Sequence, residues 1–532
     1  MGNRHSYSIL LPEDIQQHVL AEVSEKTGYP VEMLDLDLDL EADLGIDTVK
    51  QAELFAAIRT HYGIPRREDL ILADYNTLAR VVAFVEENLG AQNKALIDEV
   101  NPEAADSTEP AVPSPVGSEN LAAQANAGLA FRAPTLVMIP KVELCSSTQV
   151  HLAEREVVIV ANSAKISSAL SKKLKALHAL PVVADPISAV EKIDQLAKAG
   201  NLAGVYYLTA LDEKINWKAL TPEMWVQQRA QSLNPLFELA KVLPESAFLI
   251  GATAMGGLLG LLNSENPLGG LISGFIKALQ HERPGQLIKV IDFPSAGKGA
   301  NIADALIKET LHDPVTTEIG YDDGSRYAVS LREIQPEGVT QATLPRNSVF
   351  VVSGATGGIT GSVLLDLARA TQGSFFLLGR TPLPSQDDQD LHKVKADRNT
   401  YRVELQKRLH EKGEKATPVQ LDQRVMAVER AAAMLEGMEA IRASGGRANY
   451  IVCDVTDQRS IEAAVQEIER AADHIDYFIH AAGVEKSRKI ETKTSAEFEQ
   501  TISVKADGFY FLLSTLEKGK LQIGRASCRE RV

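Results

Sequence analysis

The chain opens with three segments in which apolar residues recur at helical spacing. "PEDIQQHVLAEVSEKTG" sets Ile15, Val19 and Val23 on one face, between Pro12 at a helix start and Gly28 at its end. "DTVKQAELFAAIRTHYG" groups Val49, Ala52, Phe55 and Ala56 and stops at Gly63, and "NTLARVVAFVEENLG" spaces Leu78, Val82, Val85 and Leu89 before Gly90. Apolar stripes of this length close on one another, so the pattern predicts a small helical bundle over 12–90. From 91 to 134 Pro, Ser, Ala, Glu and Asn take over, with few aromatic or β-branched residues, which predicts a flexible linker.

Beyond the linker the period changes. Short Val/Ile/Tyr-rich runs, "EVVIVANS", "GVYYLTAL", "SAFLIGAT" and "QLIKVIDF", alternate with helical patterns, the signature of βαβ units and a parallel sheet. After "LPRNS" the pattern restarts with "VFVVSGATGGITGSVLLDLARA", "SFFLLGRT", "ANYIVCDVTD" and "IDYFIHAAGV". The expected fold is α/β, with tandem Rossmann-like doubly wound parallel sheets over 135–340 and 347–522. The first half carries "ANSAKI" where the second has glycines, so only the second is expected to hold a ligand loop.

Length and composition narrow the class. At 532 residues, 45% of them hydrophobic, the chain suits several domains with real cores. A net charge of −16 excludes a non-specific nucleic-acid binder. Cys145, Cys453 and Cys528 stand far apart with no C-x-x-C spacing, so neither a disulfide framework nor a metal site is expected, and a reducing cytoplasm fits. No apolar run has the length of a membrane span, and the N-terminus lacks the features of an export signal.

The candidate chemistry lies at strand ends of the second half. Strand "VFVVS" runs into a loop, Ser353, Gly354, Gly357, Gly358 and Ile359, and a helix follows at once. Glycines let a backbone approach a pyrophosphate, whose charge the helix N-terminus holds. The next strand ends in "LLGRT", where Arg380 replaces the acidic residue that binds a ribose 2′-hydroxyl, and its guanidinium suits a 2′-phosphate. That favours NADPH over NADH. "VCDVTD" puts Asp454 and Val455 at the third strand end, the carboxylate able to accept from an adenine amino group, and "HAAG" ends the fourth with Ala481, Ala482 and Gly483.

These four motifs in order resemble the short-chain dehydrogenase/reductase family, and within it the ketoreductase domain of type I polyketide and polyunsaturated fatty acid synthases. The resemblance covers about 135–522, the degenerate first half included. Two features depart from it: Thr360 followed by Gly361 in place of the third loop glycine, and a charged helical stretch over about 385–445. The resemblance implies that Lys505, in "TISVKADGFYFLL", is the catalytic lysine that lowers the pKa of a tyrosine acid and positions the nicotinamide ribose. The family's serine and tyrosine have no counterpart here, and Tyr510 is expected to pack. Written as codons, residues 523–532 read ATC GGA AGA GCG TCG TGT AGG GAA AGA GTG, the read-through of a common short-read sequencing adapter. Native sequence is therefore expected to end at about Gln522, leaving a truncated reductase that does not turn over.

"EADLGIDTVKQAELFAAIR" resembles the acyl carrier motif of the same synthases, over 12–90, which implies a small four-helix carrier bundle. In that motif a serine opening the second helix carries 4′-phosphopantetheine; the position here is Thr48, whose secondary hydroxyl is crowded at Cβ. The implied function is reduction of a β-ketoacyl thioester to a β-hydroxyacyl thioester. The implied partners are ketosynthase and acyltransferase domains and a phosphopantetheinyl transferase, with neither nucleic acid nor membrane. The alternative is a non-catalytic scaffold with a vestigial carrier and nucleotide binding only.

Overall fold

The computed structural model describes residues 12–98, 131–334 and 344–518, apart from 28, 30, 32–33, 42, 47, 66–74, 212–218, 263, 265, 295–298 and 356–357. Gly28, Gly357, most of the expected linker and the 523–532 tail lie outside the described residues. The chain packs as two compact units, one of Met1–Gly117 with Pro382–Ala443, the other of Ser118–Thr381 with Ser444–Val532.

In the first unit the described part of the bundle holds three α-helices, α1 (Pro12–Thr27), α2 (Thr48–Tyr62) and α3 (Leu78–Asp98). Ile15, Val19, Val23, Leu78, Val82 and Val85 meet in one core, as their spacing predicts. On α2 the expected face is corrected: Ala52 and Ala56 are exposed, and Leu54, Phe55 and Ile58 are buried. The larger side chains remove more apolar area from water, so they set the helix rotation. α3 also runs past Gly90, because the cost of one glycine is small beside the helix-forming residues around it.

The second unit begins with β1 (Phe131–Ile139), β2 (Glu156–Val160), α4 (Ala164–Ala176), β3 (Leu180–Ala184), α5 (Pro186–Lys198) and β4 (Leu202–Ala210). There follow α6 (Pro222–Val242), β5 (Phe248–Thr253), α7 (Leu268–Glu282), β6 (Ile288–Asp292), α8 (Gly299–Leu311), β7 (Glu318–Asp322) and β8 (Ser325–Ile334). They form one sheet in the order β1-β8-β7-β6-β5-β4-β2-β3. The stretch from β3 to β7 is parallel, as expected, and β4 is buried along its whole length. The antiparallel margin of β8 and β1 goes beyond the sequence reading. It is made by a two-residue turn in which Asp323 and Gly324 both take positive φ, 43° and 74°. Arg326 on β8 then fastens it, donating to Glu309 of α8 at 2.7 and 3.0 Å and to Asp313 at 2.6 Å.

The second sheet is built from β9 (Val349–Ser353), α9 (Gly358–Thr371) and β10 (Ser374–Gly379), then β11 (Arg447–Val452), α13 (Gln458–Ala471) and β12 (Tyr477–His480). Between β10 and β11 the chain leaves for three insertion helices of the first unit, α10 (Gln389–Ala396), α11 (Arg398–Glu411) and α12 (Pro418–Ala443). After β12 come α14 (Ser495–Ile502) and α15 (Gly508–Lys518). The order β11-β10-β9-β12 is all parallel and reverses direction at β9, the switch point beside which such sheets bind ligands. The two sheets share cores. Phe498 stacks on Phe237 with ring centres 4.2 Å apart, worth about 1 kcal/mol beyond its burial.

Candidate active site

Strand register sets the site. Ser353 lies opposite Leu378 and His480, and Gly379 opposite Val452, so the four parallel strands of the second sheet end level. Just past β9, Gly354 has φ +74°, and a Cβ there would stand 2.5 Å from the Ala481 carbonyl and the Ala482 nitrogen. Only glycine lets this turn press onto the "HAAG" stretch. Gly358 then opens α9, with Ile359 exposed and Thr360 buried. The departure at Thr360 is thus absorbed in the core.

Arg380 follows β10 directly and is exposed, with no ion pair among the described residues. Its turn is fixed by Tyr450 of β11, whose hydroxyl donates to the Thr381 carbonyl at 2.6 Å and occupies the space a Cβ on Gly379 would need. Asp454 caps the turn after β11, its Oδ1 accepting from the Thr456 N–H at 2.9 Å and the Thr456 hydroxyl at 2.7 Å. Next to it Val455 packs on Gly508, 3.0 Å from where a Cβ would be. Burial pushes the Cys453 thiol up to about 11, so it is no nucleophile.

Lys505 sits in a π-helical turn, Ser503–Asp507, between α14 and α15. Such turns break the regular backbone ladder and leave a carbonyl to be met from outside. Here the Val504 carbonyl lies 3.1 Å from Nε2 of His480, whose Nδ1 lies 2.8 Å from the Ser353 hydroxyl. The pairing assigns the proton to Nε2 and leaves Nδ1 as acceptor. On the other side of the turn Asp507 accepts from Trp225 Nε1 at 2.8 Å and Arg229 Nη2 at 2.9 Å, both from α6 of the first sheet. Arg229 also binds Glu499 of α14, at 2.9 Å through Nη1 and through Nη2. Burial raises the Asp507 pKa, with Arg229 and Trp225 working against it. The Lys505 stem passes 3.1 Å from where a Cβ on Gly483 would stand.

Ser353, Gly354, Ala481, Ala482, Gly483 and Lys505 are therefore one cluster, with Arg380 and Asp454 at the adjoining strand ends. Tyr510 packs, as expected: it stacks on Trp225 at 4.7 Å and gives its hydroxyl proton to the Leu220 carbonyl at 2.6 Å. The roles of Arg229, Trp225 and Tyr450 lie outside the sequence reading. His480 was legible as the residue before "AAG", but its task was not. A cleft of about 580 Å³ at the "ANSAKI" turn, lined by Ser163, Ser167, Lys172 and neighbours, contains none of these site residues. A glycine turn with left-handed φ, an exposed unpaired arginine and a lysine over Gly483 fit a nicotinamide dinucleotide. In the carrier, Thr48 is the first residue of α2.

Residues 17–85 match the family described as phosphopantetheine attachment site, and residues 348–523 match the KR domain. The chain thus contains a carrier domain over 17–85 followed by a KR domain over 348–523, the latter of a class that uses nicotinamide cofactors. More particularly, it is homologous to polyunsaturated fatty acid synthases and to polyketide synthase ketoreductases. It is 24% identical to a polyunsaturated fatty acid synthase polypeptide of Thraustochytrium sp. over 95% of its own length and 19% of that relative's. Against polyketide synthase PksL of Bacillus subtilis it is 25% identical, over 45% of this chain and 4% of the relative. In fold it is similar to an N-terminal ketoreductase from the macrolactin assembly line, with TM-score 0.52 and 15% identity over 74% of this chain and 73% of that one. A keto acid-selecting NRPS module structure containing a ketoreductase gives TM-score 0.56 at 15% identity, over 94% of this chain and 41% of that one.

Proposed function

We propose that this segment belongs to the reductase of a polyketide or polyunsaturated fatty acid synthase that converts a β-ketoacyl thioester to a β-hydroxyacyl thioester with NADPH in preference to NADH, and that these 532 residues, which hold no counterpart of the family's serine and tyrosine, bind the cofactor without turning over. The observation that carries the reading is the meeting of Gly354, Gly483 and Lys505 beside strand ends that also present Arg380. When bound, the cofactor supplies the hydride. The chain's own residues hold and orient it. Gly354 would open the backbone at the phosphates, Arg380 would offer its fork to a 2′-phosphate, and Lys505 would bring a positive charge to the ribose.

Titration of the chain with NADPH and NADH tests this directly. NADPH is expected to bind more tightly, and Arg380→Ala to weaken NADPH by about tenfold or more while leaving NADH unchanged. Equal affinities, or no response to Arg380→Ala, refute the 2′-phosphate assignment. Substrate thioesters, ketosynthase and acyltransferase domains, a phosphopantetheinyl transferase and a cytoplasmic setting belong to the same reading. The threonine at position 48 favours a second one, in which the carrier is vestigial and the chain is a scaffold that binds nucleotide. Intact mass after incubation with a phosphopantetheinyl transferase and coenzyme A separates them.

A further inference from the structure

The insertion helices pack on small cores of their own, Leu409 with Leu421, and Tyr401 with Val394 and Val425, and fall in the same compact unit as the carrier. The start of α12 shows what joins them. The first turn of a helix leaves N–H groups without helical acceptors. In α12 Pro418 has none, and the Gln420 N–H donates to Thr417 Oγ1 at 3.4 Å while Gln420 Oε1 accepts from the Thr417 N–H at 3.2 Å. The Val419 N–H is met from outside the insertion, donating to the Asp43 carbonyl of the carrier at 3.1 Å. Gly45 passes alongside, with Val419 Cγ2 3.8 Å from where its Cβ would be.

A second contact lies beside this one. The Tyr29 hydroxyl donates to Asp422 Oδ2 at 2.8 Å, and the Arg402 guanidinium stands 4.9 Å from the Tyr29 ring centre. Tyr29 and Arg402 are each 6% exposed. Asp422 also faces Arg402 at 3.5 Å and Arg398 at 3.8 Å, so the insertion itself holds the acceptor in place. Burial and the Asp422 carboxylate together push the Tyr29 phenol up to about 12, so it remains a donor.

We propose that the 382–443 insertion is a docking platform for this chain's own carrier domain, gripping it by Tyr29 and by the 43–46 loop that runs into Thr48. The insertion leaves the reductase just after Arg380 and returns into β11. Docking therefore adds a non-covalent hold, by a segment continuous with the cofactor-binding half, to the tether of the linker. The inference rests on reading 12–90 as a carrier, but on neither NADPH binding nor modification of Thr48.

Hydrogen exchange of the Val419 amide in the full chain, resolved by fragmentation and mass spectrometry, tests it. The amide is expected to be protected. Tyr29→Phe, which removes only the hydroxyl at Asp422, is expected to speed its exchange about tenfold, the worth of one charge-assisted hydrogen bond. The Leu421 amide, bonded at 2.9 Å to Thr417 within the insertion, should stay as it is. Val419 exchanging like an open amide in the unaltered chain overturns the platform. So does a rate unmoved by both Tyr29→Phe and Asp422→Asn. Either failure leaves the cofactor titration and the mass measurement free to succeed.

Discussion

His480 has no exposed surface, and burial pushes its imidazole down from the ordinary 6.5 to about 4. The neutral ring suits its position, with Nε2 donating to Val504 and Nδ1 accepting from Ser353. An unfolded chain takes up this proton near pH 6.5, whereas the folded chain resists it until about 4. Between those values the unfolded state binds more protons, so stability rises with pH. The contribution is complete above 6.5 and is lost as the pH falls toward 4. At about 1.4 kcal/mol per unit, the gap corresponds to about 3 kcal/mol. Urea denaturation followed by tryptophan fluorescence reads it, because Trp225, buried on α6, belongs to the second unit. The unaltered chain should lose about 3 kcal/mol more than His480→Asn between about pH 7 and about pH 4. Comparing the two chains cancels the carboxylates and His18, whose pKa burial and His61 also lower. An identical pH slope in both chains would show the reasoning to be wrong.

Arg229→Met should leave Asp507, whose side chain is 4% exposed, buried without its cation, at a cost of about 3 kcal/mol or more in the same denaturation assay. Its NADPH affinity should fall as well, if α6 holds the Lys505 turn in place. Gly354→Ala forces a side chain into positive φ against Ala481, so it should cost about 2 kcal/mol and weaken NADPH binding by titration. Thr48→Ser should speed or install the gain of a phosphopantetheine arm, read by intact mass, because a primary hydroxyl is less hindered; no gain in either chain would support the scaffold reading.

Much of this architecture is carried by near neighbours in the chain. Alternating and continuous apolar runs mark β2, β4, β5, β6 and β9 through β12, since a strand buried between helices must be apolar along its length. The glycine turn, Arg380, Asp454 and Lys505 were also legible, because each stands at a strand end or helix that the same runs delimit. The tertiary structure decided what depends on distant pairing. β1 and β8 meet across the sheet margin with almost two hundred residues of chain between them, so nothing local to either segment announces the pairing. On α2, Leu54 and Ile58 took the core from Ala52 and Ala56 because the facing helices leave room for the larger side chains. Arg229 reaches Asp507 across 278 positions, and Tyr29 reaches Asp422 across 393, separations over which no local pattern signals a partner. Residue spacing thus determined which segments become helices, strands and ligand loops. Only three-dimensional packing decided which buried charges, ring faces and orphan N–H groups those segments would satisfy, because each such group is matched by whatever folding brings beside it.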